Sequence, residues 1–231
     1  MWVTKGEKEI FLKFPNIVKI DTTFGTNDRS MPLLSITGLS STGQAFTIVR
    51  AYIPNEQARV FRWILSHALP PLLGVESLKR VVVIMSVGDS TEISQIHHLI
   101  DELCPHVHRL RCGWHLVDRG WDRLIYHIPK DPFQSKFRMF ETTRRILFTW
   151  SYSWMTSICE SKEEYDLSRQ LFHRFLESPE LMSRVGPFYL EKIRQWHSTI
   201  MSCEPNWVFH QRKSLFAREE FTNSSHESTY K

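Results

Sequence analysis

A chain of 231 residues, 42% of them hydrophobic, is long enough for one large domain or a core domain with an insertion, and it excludes wholesale disorder. Its 29 basic residues against 25 acidic ones leave a net charge of +4, which permits contact with nucleic acid without demanding it. The four cysteines, Cys104, Cys112, Cys159 and Cys203, form no CxxC pair, which excludes a disulfide scaffold and favours a reducing compartment.

In chain order, residues 16–24 (NIVKIDTTF) read as a strand in which Ile17, Val18 and Ile20 lead to a polar end at Asp21. Residues 31–41 read as a second strand, Ser40-Ser41-Thr42-Gly43 as a turn, and 45–53 as a third strand, completing a meander. Asn55 stands where a helix N-cap is expected, Val60, Phe61, Ile64, Leu65 and Ala68 recur at helical spacing, and Pro70-Pro71 is expected to end that helix. The β-branched run at 80–86 predicts a strand buried on both faces. A helix over about 91–103, a short fifth strand in HRLRCGW, and a helix near His115–His127 follow. From about 130 the strand signals fade. Residues 136–177 and 187–202 read as helices rich in Trp and Phe, and the eight tryptophans are read mainly as packing.

Three strands, helix, strand, helix, strand is the element order of the ribonuclease-H-like fold. The expected architecture is therefore an α/β, mixed five-stranded sheet flanked by helices, with an all-helical insertion. The expected division is a core over 1–130, the insertion over 131–221, and over 222–231 the start of a final core helix. That helix is expected to be cut short, because four residues follow Glu227.

Several blocks carry a more specific resemblance. Asp21-Thr22-Thr23-Phe24, Thr26-Asn27 and Met31-Pro32-Leu33-Leu34 come first. Asn55-Glu56 with Phe61 and Trp63 come next, then Cys104-Pro105 with Cys112-Gly113-Trp114-His115, and finally Thr222-Asn223-Ser224-Ser225-His226-Glu227-Ser228. In this order they resemble the Mutator-like (MULE) transposases. The resemblance implies Asp21 and Glu227 as metal-binding catalytic acids, Mg²⁺ or Mn²⁺ as cofactor, and DNA as partner. Two divalent ions about 4 Å apart would need carboxylate oxygens from several elements.

One position departs from that pattern. The family places a metal-binding Asp directly after the fourth strand, where this chain has Val87 in Ser86-Val87-Gly88-Asp89. Asp89 could substitute as a ligand, but Asp89-Ser90-Thr91-Glu92 also reads as a helix N-cap followed by an acid at N3. Catalysis is expected to be severely reduced or absent.

Cys112 and His115 form half of a zinc site with no evident second half; with Trp114 they read equally as core and helix-start residues. Lys130, Lys136, Arg138, Arg144 and Arg145, interleaved with Phe133, Phe137 and Phe140, suit phosphate contact and base stacking, or simply a solvated basic face. No small-molecule cofactor is expected, and homo-oligomerisation stays open. The opening MWVTKGEKEI lacks a signal peptide's apolar run, and no stretch nears the roughly 18–20 apolar residues of a membrane span. The chain is expected to be nuclear or cytoplasmic rather than secreted, without a membrane partner. Three readings follow: a transposase-derived domain impaired in catalysis, an active nuclease core using Asp21, Asp89 and Glu227, or a regulatory protein of transposase descent, as in far-red-response transcription factors.

Overall fold

The structure, a computed structural model, describes residues 1–86, 105–113, 115–124, 135–155, 158–202, 207, 208 and 211. The expected helix at 91–103 lies outside them. The described residues fall into two compact units, one ending at Cys112 and one beginning at Gly113.

The first unit opens with α1 (Lys5–Lys13), which sequence periodicity does not announce. Its start is set by a capping box: the Thr4 hydroxyl accepts the Glu7 N–H, and the Glu7 carboxylate accepts the Thr4 N–H. Strands β1 (Ile17–Thr23), β2 (Leu33–Leu39) and β3 (Ala45–Tyr52) form the expected antiparallel meander. Strands β4 (Val83–Ser86) and β5 (His108–Arg111) run parallel to β1, giving a sheet of order β3-β2-β1-β4-β5. This mixed five-stranded sheet with flanking helices is the α/β architecture expected of a ribonuclease-H-like fold.

One face of the sheet is apolar. Val18, Ile20, Leu34 and Ile36 pack there with Phe11 of α1 and with Phe61, Ile64, Leu69 and Leu73 of the segment after β3. Fully burying a side chain such as Phe11 is worth about 1.5–3 kcal/mol. The edge strand β3 is partly covered by the N-terminus, because Trp2 exchanges two backbone hydrogen bonds with Arg50.

The segment after β3 corrects two expectations. Helix α2 (Ala58–Trp63) has Gln57, not Asn55, at its N-cap; the Asn55 Oδ1 accepts the Gln57 N–H at 3.1 Å and closes an Asx turn just before it. Nor does the helical path stop at Pro70-Pro71. A wide π-helical turn over Ile64–Ala68 precedes α3 (Leu69–Leu73), where Pro70 falls in the first turn and needs no N–H donor. Gly74, at φ 91°, then ends α3 and leads into α4 (Val75–Leu78).

The second unit is helical. A π-helical turn (His115–Arg119) runs into α5 (Gly120–Leu124), followed by α6 (Ser135–Met155), α7 (Lys162–Leu176), α8 (Pro179–Val185) and α9 (Pro187–Met201). The helical reading of 136–177 is split in two, because Ser161 and Glu164 form a second capping box that starts α7. The tryptophans are core, as expected. Trp121 meets Phe148 and Trp196 edge-on, and the Trp196 indole N–H donates to the Val117 carbonyl at 3.1 Å. Trp154 and Trp207 are buried in the same cluster. No described helix is long and apolar enough to cross a membrane.

Candidate functional site

Strand pairing brings particular residues to one end of the sheet. Thr23 of β1 pairs with Leu33, Leu33 with Tyr52 near the end of β3, Ile20 with Ser86 at the end of β4, and Ser86 with Arg111 at the end of β5. Asp21, half-buried, follows Ile20 and lies opposite Ser35. Of the three expected acids, the described residues contain Asp21 alone; Asp89 and Glu227 lie outside them, as does Val87.

Side chains alternate along a strand, so the face that carries Asp21 is the one turned away from Val18 and Ile20. Lys19 and Asp21 share it with their cross-strand partners Thr37 and Ser35. This face is polar at its centre. Lys19 is 0% exposed, Thr37 is buried, and the buried Ser35 Oγ finds no hydrogen-bond partner among the described residues. The apolar Val83, Met85 and Leu110 flank these polar groups on β4 and β5. A site holding two divalent ions takes several carboxylates; among the described residues of this face, Asp21 is the carboxylate. Among the described residues, no three His, Cys, Asp or Glu side chains gather to hold a metal.

Other motif residues act through structure. The Thr22 hydroxyl donates to the Glu56 carboxylate, tying the segment after β3 back to β1 on the face opposite Asp21. Asn27 clamps the loop between β1 and β2: its Oδ1 accepts the N–H groups of Arg29 and Met31, and its Nδ2 donates to the Met31 carbonyl.

Cys112 is buried, and its backbone N–H donates to the Ser86 carbonyl at 3.0 Å, extending the pairing of β5 with β4 by one residue. A Cβ at Gly113 would run into the buried Met155 side chain, which would have to shift to admit it. His115 begins the π-helical turn and is half-buried; Trp114 lies outside the described residues.

Among the basic candidates, Arg144 donates to Asp118 at 2.7 Å, lies 3.5 Å from Glu141 and stacks its guanidinium 4.6 Å from the Phe148 ring centre. Its charge therefore organises the helical unit itself. Arg145, one position on, is exposed. Lys136 and Arg138 belong to the backbone of α6, but their side chains, like all of Lys130, lie outside the described residues.

With the sheet, its register and the motif residues in place, sequence comparison adds a family match over part of the chain. Residues 17–119 match the MULE transposase domain. The matched segment runs from the first residue of β1 to the last residue of the π-helical turn. Over 217 residues, 93% of this chain, the sequence is also 24% identical to Protein FAR1-RELATED SEQUENCE 5 of Arabidopsis thaliana. The chain spans 23% of that relative's length.

Sequence reading did not single out Lys19, although the alternation of β1 already set it on the Asp21 face. It also did not single out the Thr22–Glu56 link, because register between β1 and the end of β3 is a tertiary property.

Proposed function

We propose that this chain is a DNA-engaging domain of MULE-type transposase descent in which metal-dependent strand cleavage is lost or severely reduced. The observation that carries this reading is at the end of β4. The strand closes at Ser86, beside Ile20 and one residue short of Asp21, and the next residue in the chain is Val87. The family resemblance sets a metal-binding Asp at that position, and a valine side chain offers no oxygen to a cation. Asp21 would persist from the ancestral set, with Glu227 as its expected partner from the end of the chain.

DNA engagement is supported by the same descent and by the mildly basic balance of the chain. Lys130, Lys136, Arg138 and Arg145 are the candidate phosphate contacts, whereas Arg144 is engaged with Asp118. Residues 131–221 would be the insertion that such transposases place before the last acid. A regulatory protein of the same descent is the second reading. The similarity to FAR1-RELATED SEQUENCE 5 covers nearly the whole chain and so extends past residue 119 into the helices.

Both readings predict electrostatic DNA binding. Fluorescence anisotropy with a labelled duplex should show affinity falling by ~10-fold or more between about 50 and 200 mM salt, as phosphate contacts release counterions. Absence of binding at low salt would show that the chain does not engage DNA and would turn the account towards a protein-interaction scaffold.

A further inference from the structure

We propose that the outward face of α2, formed by Arg59, Arg62 and Trp63, holds single-stranded DNA: the guanidiniums meet phosphates and the Trp63 indole stacks on an unpaired base. The inference rests on the proposed engagement of DNA and names the surface and the strand state that it would use.

The motif pair Phe61 and Trp63 divides on folding. Phe61 is 0% exposed and packs with Ile64 in the core of the sheet unit. Trp63 is 58% exposed, in contrast to the buried tryptophans of the helical unit. Tryptophan is deeply buried on average, so an outward one is informative. Helical spacing explains the split: residues 59, 62 and 63 stand at i, i+3 and i+4, on the side of α2 turned away from Phe61 and Ile64. Arg59 and Arg62 are exposed there with Trp63. From Gln57 to Val75 the chain holds no Asp or Glu, so the charge that this segment brings to the surface is positive. Glu56, just before it, accepts the Thr22 hydroxyl, and that link sets the start of the segment at the Asp21 end of β1. Such a surface complements an anionic partner. A lipid bilayer would need an apolar helix face to insert, and that face of α2 is already buried in the sheet core. One exposed ring set among guanidiniums instead matches a nucleic-acid strand, charge to phosphate and ring to base. Inside a duplex each base is covered by its stacked neighbours, so stacking on Trp63 requires an unpaired one.

Fluorescence anisotropy of the full chain with a labelled oligothymidylate and with a labelled duplex tests the proposal. Trp63→Ala is expected to weaken single-strand binding by ~10-fold or more and duplex binding by much less, whereas Trp63→Phe should keep most of the single-strand affinity. Arg59→Gln combined with Arg62→Gln should weaken single-strand binding and flatten its salt dependence. The slope of log K against log salt should fall in magnitude by about 1.4, the loss of two phosphate contacts. These side chains are exposed, so the variants are expected to fold as wild type does, which circular dichroism checks. The salt slope of the arginine variant decides the question even where Trp63→Ala does not fold. Wild-type single-strand affinity in Trp63→Ala, equal losses on both DNAs, or an unchanged slope in the arginine variant overturns the assignment while leaving DNA engagement to another surface of the chain. Failure of the wild type to bind either DNA at low salt overturns the proposed function and this inference together.

Discussion

Replacing Trp154 by alanine is expected to destabilise the helical unit by about 3–5 kcal/mol, the range for removing a large aromatic from a packed core. The indole is 0% exposed. Its ring centre lies 5.1 Å from that of Phe172, 5.7 Å from Tyr165 and 6.3 Å from Trp207, so one side chain joins α6 to α7 and to the segment after α9. Its N–H also donates to the Ser168 hydroxyl at 2.8 Å, and truncation leaves that hydroxyl without the bond. Single domains are stable by about 5–15 kcal/mol, so the loss is a large share of the total. Urea denaturation followed by far-ultraviolet circular dichroism measures it. A loss below about 1 kcal/mol would mean that the aromatic cluster is not what holds these helices together.

The same unit should weaken in mild acid because of His197. Burial, with the neighbouring His173 and Arg169 adding to it, lowers the His197 pKa from its usual 6.5 to about 4. The ring packs 4.6 Å from Phe172 and 4.9 Å from His173, centre to centre, and its Nε2 finds no hydrogen-bond partner among the described residues. Because the folded pKa lies below the unfolded one, the unfolded chain takes up a proton first as pH falls. His197 therefore costs no stability above about pH 6.5, and stability is lost progressively between about 6.5 and 4. Each pKa unit is worth about 1.4 kcal/mol, so the loss by pH 4.5 should reach about 2–3 kcal/mol. His197→Leu should remove that part of the pH dependence. An unfolding free energy that falls equally in variant and wild type between pH 7 and 4.5 would assign the acid sensitivity to other groups.

The sheet was legible because its strands carry local signals. Alternation marked β1, turn residues separated β2 from β3, and the β-branched run marked β4. The features that sequence misread are tertiary or depend on rarer backbone geometry. Pro70-Pro71 looks like a stop, yet a π-helical turn leaves the prolines in the first turn of a new helix. Asn55 has the chemistry of an N-cap but caps a turn two residues early. Helix α1 went unread although Thr4 and Glu7 spell its capping box. Of the candidate site, Asp21 was legible from its place at the end of a strand. Lys19 was not, because a lysine in a strand reads as a solvent-facing residue until the second face of the sheet proves buried. Arg144 reads as one of a basic group, and only its contacts with Asp118 and Phe148 show where its charge is used.

The proposed function has a core of MULE-type descent persisting here without efficient metal-dependent cleavage. The most direct measurement is nicking of supercoiled DNA by the purified chain in Mg²⁺ and in Mn²⁺, beside Asp21→Ala. Wild type and variant are expected to leave the DNA equally intact in both metals, since Val87 cannot supply the second ligand of a two-metal centre. Robust turnover by the wild type, abolished by Asp21→Ala, would contradict it.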